Sequence, residues 1–506
     1  MSMNYFKISK FFLFLVPLAV MIVTPSTLFP FIVGKYVFFR TAVSLALIFF
    51  LLGYAKTRIN ADSNADKRGF NISDNLRRNL RLSALWRQPL VIAVSVFVVI
   101  FLLACLFGVD PKMSFWSNFE RGEGGLQILY FGIFFGLLAI LFREEKDWKK
   151  IFWISILAAV LVIFYGLGAH LKYIDAEMTT RFENGFEIRE LTGRGGPWFQ
   201  TFKNYIGGSF KEPHFRFAGS LGNPAYTATY LVFALFYAAY LLITRINTDK
   251  KLIYTEFLVG LLILFFVFFW LAATRGAFLG LIAAIIFGAF YFAFQYKKYR
   301  KPLIGLILVG VMAVSLMIYF KDAPIIKSLP GSRLFQITLS AESWQHRILM
   351  WQTAIEGWKE RPLFGWGPEN FSQIFEKHFP IKYFSPQAGF GAWFDRAHSI
   401  YFDYLAETGI LGLLSYLAIF AVFYWQFLRK TRINAEQKFL EADKRGNKQQ
   451  SIVNSQWSIV QRVLIFALPI AYLVQGIVLF EILPLYINLF MFLAFATYKL
   501  KADIHI

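Results

Sequence analysis

The chain has 506 residues, 57% of them hydrophobic and 16% charged, with 60 phenylalanines; soluble domains carry about 25% charged residues, so a string of soluble domains is excluded. The formal net charge of +21 does not point to nucleic acid, because the basic residues gather in short segments between apolar runs, where they set topology and meet anionic headgroups. Cys105 is the single cysteine and lies inside an apolar run, which excludes disulfides and Cys-based metal sites.

Apolar runs of roughly 17–22 residues recur along the whole length, each long enough to cross a hydrocarbon core of about 30 Å. The first two are about Ile8–Thr24 and Val37–Tyr54. The first has the look of a signal-peptide core, but no small-residue cleavage site follows and another apolar run comes next, so it reads as a span. Lys56–Gln88 carries eight Lys and Arg residues, among them Lys67, Arg68, Arg77, Arg78 and Arg81, and marks the cytoplasmic side. Spans over about Pro89–Phe107 and Leu126–Phe142 flank an outer loop, and a fifth covers about Ile151–His170.

Leu171–Asn223 mixes charges with G-R-G-G-P, Trp198, Phe199, Phe202 and Tyr205; interface-hugging helices are expected there, since aromatics favour the headgroup level. Further spans follow at about Pro224–Ile243, Leu252–Ala273, Gly276–Gln295 and Pro302–Phe320. A large loop, Lys321–Ala397, precedes spans at about Ile410–Phe427, Val463–Phe480 and Leu485–Lys499. The expected fold is therefore an all-α polytopic membrane protein of about twelve transmembrane helices. It forms one transmembrane domain over residues 1–506, with extracytoplasmic loops at 171–223 and 321–397 and both termini cytoplasmic.

This topology sends the notable polar residues to one face. Arg121 lies in the first outer loop. Arg216 precedes a helix that Asn223 can cap, and cationic side chains beside free backbone N–H groups favour anions. Arg275 in A-T-R-G-A-F sits between two apolar runs joined by almost no loop, and Arg347 has Trp344 and Trp351 on its own helical face. His398 stands shortly before a span, and a pKa near about 6.5 suits a proton acceptor. Each has a plain structural reading too: a snorkelling arginine, a short turn, an interfacial amphipathic helix, a helix-start histidine.

Converging guanidiniums ask for a polyanionic ligand, which they bind through bidentate, charge-assisted hydrogen bonds. Arg216, Arg275 and Arg347 on a diphosphate leaving group, with His398 as base, make a coherent machine for glycosyl or phosphoryl transfer without a metal or other cofactor. Arg121, Asn223, Arg361, Arg396 and Glu407 are secondary candidates. Asp395, Asp403 and Glu407 are isolated in the sequence, and one of them could orient His398.

Several motifs, in order, resemble the O-antigen ligases and the related polymerases and protein O-oligosaccharyltransferases. They are D-P-K-M-S-F-W at Asp110–Trp116, R-F-A-G-S-L-G-N-P at Arg216–Pro224 and T-R-G-A at Thr274–Ala277. H-R-I-L-M-W at His346–Trp351, R-P-L-F-G-W-G at Arg361–Gly367 and A-H-S-I-Y-F-D-Y-L-A-E-T-G-I-L-G at Ala397–Gly412 complete the set. The resemblance implies a GT-C-like enzyme of the cytoplasmic membrane that moves a glycan from an undecaprenyl-diphosphate carrier to a glycolipid, glycan or protein acceptor. It further implies a metal-independent, inverting reaction, with Arg275 and Arg347 on the diphosphate, Arg216 as a further candidate there, and His398 as base. Family members often have Asn after that histidine, whereas Ser399 stands here. Competing readings from another class are a small-anion (bicarbonate-like) transporter and a flippase-like carrier that does no chemistry.

Overall fold

A computed structural model describes residues 4–65, 87–118, 121–170, 177–183, 186–192, 216–246, 252–329, 332–336, 342–379, 381, 393–445 and 459–500. The basic segment with Lys67, Arg68, Arg77, Arg78 and Arg81 lies outside them, as do Gly193–Pro197, Trp198, Phe199, Phe202 and Tyr205.

Every expected span is helical over most of its length among the described residues, because a backbone in lipid has only itself to hydrogen-bond with. In chain order these are α1 (Tyr5–Leu15), continued as a 3-10 turn to Met21, then α2 (Val33–Ala65), α3 (Pro89–Phe107), the short α4 (Pro111–Trp116), α5 (Gly125–Leu141) and α6 (Glu145–His170). Next come α7 (Pro224–Ile246), α8 (Leu252–Leu271), α9 (Arg275–Gln295), α10 (Arg300–Tyr319) and the single turn α11 (Pro324–Lys327). The remainder are α12 (Glu342–Glu360), α13 (Phe371–Lys377), α14 (Ile400–Arg445), α15 (Ile459–Gln475) and α16 (Leu483–Leu500).

Among the described residues nine helices are long and apolar enough to cross a membrane: α2, α3, α6 to α10, α14 and α16. α5 and α15, with 17 residues each, span only about 26 Å at 1.5 Å per residue. Pro17 opens the 3-10 turn that ends the first run, consistent with its missing N–H donor. α16 is buried along nearly its whole length and forms the axis of the bundle. α10, by contrast, buries no residue and turns Leu306, Leu308 and Met312 outward, the pattern of a lipid-facing helix.

One expectation is corrected in the 171–223 loop. Its described part includes an antiparallel hairpin, β1 (Glu177–Glu183) with β2 (Phe186–Thr192), paired from Glu177 with Thr192 to Glu183 with Phe186. The signal was local: Thr, Phe and Ile alternate with charged residues on both sides of Asn184-Gly185, a strong hairpin dipeptide.

A second correction concerns the helix after His398. It starts at Ile400 rather than Ile410 and breaks at Gly409, whose φ is 67° and ψ −171°. The loop R-P-L-F-G-W-G replaces the hydrogen bonds lost at the break. Trp366 and Gly367 donate to the Ala406 and Glu407 carbonyls at 3.0 and 2.8 Å, while Ile410 and Leu411 donate to Pro362 and Leu363 at 2.9 and 3.3 Å. A Cβ on Gly409 would overlap the Leu363 carbonyl, and one on Gly365 would meet the Glu407 backbone. Both glycines have positive φ, which side chains disfavour. These two motifs are thus halves of a single joint, which sets the first turns of α14 beside the end of the bundle where α7, α9 and α16 begin.

Candidate active site

At that end lies a cavity of about 850 Å³. Its wall brings together Arg121, Arg216, Asn223, Arg275, Arg347 and His398, residues drawn from segments far apart in the chain, and adds Arg333, Tyr226, Trp344, Trp393, Phe394 and Asp395. Five arginines therefore face one carboxylate, Asp395.

Arg216 and Arg275 are held by partners far away in the chain. Arg216 donates from Nη2 to Thr274 Oγ1 at 3.1 Å and from Nε to the Ala272 carbonyl at 3.4 Å. Asn223 caps α7, its Oδ1 accepting from the Ala225 N–H at 2.8 Å. Arg275, the first residue of α9, donates from Nε to the Arg333 carbonyl at 2.9 Å. Arg347 rides on α12, which docks on α14 through Trp351 stacked on Phe402 with ring centroids 5.0 Å apart.

The arginines crowd one another. Burial, then Arg333, Arg275 and Arg347, push the Arg216 pKa down to about 10. Burial and Arg333 likewise lower that of Arg347. Like charges held out of water raise the energy of the empty site, and an entering anion relieves that cost. Arg121 is different: it binds Asp395 Oδ2 at 2.8 Å and stacks over Phe480 at 4.8 Å. Burial opposes ionisation of Asp395, but Arg121 and Arg396 hold its carboxyl below the usual range.

His398 has φ +57°, uncommon for a residue with a side chain. Its Nδ1 lies 3.2 Å from the Arg396 carbonyl. A carbonyl only accepts, so Nδ1 carries the hydrogen and Nε2 keeps its lone pair. Phe394 and Phe480 meet the ring edge-on, with centroids 5.5 and 5.2 Å away. Burial lowers the His398 pKa, Arg347 and Arg121 lower it further, and the Arg396 carbonyl and Asp395 pull the other way. The ring is thus neutral at pH 7, an acceptor between the arginine group and the Arg121–Asp395 pair.

Three secondary candidates lie elsewhere. Arg361 is exposed, donating to the Phe107 carbonyl at 3.2 Å and lying over Trp366 at 5.8 Å. Arg396 and Glu407 are buried behind His398, joined at 3.0 and 2.9 Å, with Glu369 on the other guanidinium nitrogen and Glu123 at 3.6 Å. Burial works against the Arg396 charge, but Glu369, Glu407 and Glu123 hold its pKa well above the ordinary value. Within this cluster burial raises Glu123 to about 8 and pushes Glu481 well up. The cluster belongs to the same end of the bundle, beneath the cavity.

Sequence reasoning missed Arg333, which carries no motif of its own and stands on a short turn, Ser332–Leu334. Its only signal was a lone cationic residue in a loop already holding Arg347. Among the described residues no three His, Cys, Asp or Glu side chains are grouped to hold a metal ion.

Residues 260–417 match the family model Wzy_C, described as O-antigen ligase. The match takes in Arg275, Arg333, Arg347 and His398 and leaves Arg121, Arg216 and Asn223 outside it. No curated protein matches the chain.

Proposed function

We propose a specific membrane glycan-transfer reaction, a reading supported by the match of residues 260–417 to the O-antigen ligase family model and by the apolar helices. A glycan passes from an undecaprenyl-diphosphate carrier to an acceptor hydroxyl at the outer face of the cytoplasmic membrane. The observation that supports it is the convergence of Arg216, Arg275, Arg333, Arg347 and His398 on one cavity. His398 Nε2 takes the acceptor's proton as the acceptor oxygen attacks the anomeric carbon. The bond from that carbon to the diphosphate oxygen breaks, and the inverted glycoside forms.

Negative charge grows on the departing lipid diphosphate, where Arg216, Arg275, Arg333 and Arg347 stabilise it most. The scheme needs no metal, because the guanidiniums carry the electrophilic part. The cytoplasmic assignment of the opposite end rests on the basic residues there, among them Arg143, Lys149, Lys150, Arg300, Lys301, Arg429 and Lys430. Polymerisation of lipid-linked repeat units or transfer to protein would use the same donor half.

The broken helix α14 and its buried carboxylates are features found in transporters. A wall of arginines with one carboxylate, already paired, instead suits a polyanionic lipid head. The test is glycan transfer by purified protein from a polyprenyl-diphosphate-linked glycan. His398→Ala should lower the rate by roughly 10²–10⁴-fold, whereas full activity in that variant would remove the base from the scheme and favour a carrier.

A further inference from the structure

The backbone at His398 is held from both sides. On one side the Ala397 N–H donates to Asp403 Oδ1 at 2.6 Å, and the Asp403 N–H returns a bond to the Ser399 carbonyl at 2.8 Å. The reciprocal pair closes a loop around His398 and ties it to the first turn of α14. On the other side the Ile400 N–H reaches the Gly476 and Leu479 carbonyls at 2.9 and 3.0 Å, which pins the loop to the end of α15. A left-handed conformation at a residue with a Cβ persists only where its surroundings over-determine it, and these bonds do so.

The other nearby carboxylates are otherwise engaged. Asp395 is paired with Arg121. Glu407 holds Arg396 and accepts the Glu369 N–H at 3.1 Å. Asp403 alone of the three grips the backbone next to His398. Its second oxygen, Oδ2, is buried with no hydrogen-bond partner among the described residues. It lines a cavity of about 30 Å³ with Glu123, Arg396, Glu407 and Glu481.

We infer that Asp403 is a positioning residue for the base. It fixes the left-handed turn at His398, so that Nδ1 stays on the Arg396 carbonyl and Nε2 stays turned to the cavity. It touches no substrate. What it supplies is one oxygen acceptor for the Ala397 N–H; an amide oxygen can do the same, with its NH₂ directed to the carboxylates of the small cavity. The inference rests on the reading of His398 as the base.

The experiment is a mutant cycle on glycan transfer from a polyprenyl-diphosphate-linked glycan, with donor kcat and KM measured separately. Asp403→Ala should lower kcat by roughly 10–100-fold through misplacement of the base, with donor KM and inorganic pyrophosphate binding little changed. Asp403→Asn should recover most of that loss. In a His398→Ala background, Asp403→Ala should cost nothing more, since the group it positions is gone.

An equal loss from Asp403→Ala in both backgrounds, or a change confined to donor KM, would overturn the assignment. If the alanine variant does not fold, Asp403→Asn decides alone, because a kcat loss of tenfold or more in a folded Asn protein refutes the acceptor role. The two readings separate cleanly. Full activity in His398→Ala sinks the base itself, whereas a dead His398→Ala beside a fully active Asp403→Ala sinks only the positioning role.

Discussion

Arg333 offers the sharpest quantitative test, because the cavity uses it in two opposed ways. Its guanidinium lowers the pKa of Arg216 and of Arg347, so in the empty protein it is a repulsive neighbour. In the proposed reaction it becomes one of four cations on the diphosphate leaving group. A hydrogen bond to a charged partner contributes about 1.5–3 kcal/mol. Arg333 is only partly buried, so solvent screening favours the low end, about 1.5 kcal/mol, or roughly tenfold in kcat/KM.

Arg333→Ala should therefore lower donor kcat/KM by about tenfold while leaving the empty protein as stable as before or slightly more so, since a like-charge contact is gone. Ser332 and Leu334 stay buried and the Arg333 carbonyl still accepts from Arg275, so the turn itself should survive. The assay pairs transfer kinetics with thermal unfolding in detergent, with and without pyrophosphate. The wild type should gain more stability from pyrophosphate than the variant does. Unchanged kcat/KM with an unchanged pyrophosphate shift would refute the reasoning.

Arg275→Lys keeps the charge but loses both the Nε bond to the Arg333 carbonyl and bidentate phosphate geometry; transfer should drop by more than about tenfold, and a wild-type rate would count against diphosphate recognition. The proposed base is active when neutral, and the His398 pKa lies below its ordinary 6.5, with Arg347, Arg121 and Asp395 facing it. Activity should rise with pH along an acid limb centred below 6.5, and a limb centred above 7 in the pH–rate profile would contradict the burial argument. Gly409→Ala places a Cβ against the Leu363 carbonyl at positive φ and should destabilise the protein by about 1–3 kcal/mol, seen as a lower Tm; an unchanged Tm would mean that the joint is not strained. A chelator added to purified protein should leave transfer unchanged, and full inhibition would speak for a metal.

Much of the site was visible in the sequence because its members sit at segment ends. Arg216, Arg275 and His398 each stand where an apolar run meets a polar stretch, so run length and the basic segments were enough to send them to one end of the bundle. Arg396 meets the same criterion and Arg361 stands inside the 321–397 loop, yet both lie outside the cavity wall, because polarity near a span or in a loop does not tell which way a side chain turns. Arg361 went to solvent and Arg396 into a carboxylate cage. The hairpin at Glu177–Thr192 was missed for a different reason: an alternating pattern between spans was overridden by the expectation of aromatic interfacial helices.

By itself, then, the order of residues determined the membrane, the helices and the end of the bundle where the candidate site lies, because transfer of apolar segments into lipid depends on local composition and length. Tertiary structure alone decided that Arg333 joins the arginine group, that Asp403 grips the loop of His398, and that a broken helix is mended by Arg361–Gly367. Those outcomes depend on hydrogen bonds and like-charge contacts between segments far apart in the chain. Such contacts exist only once helices drawn from different regions have packed, and no local pattern encodes them.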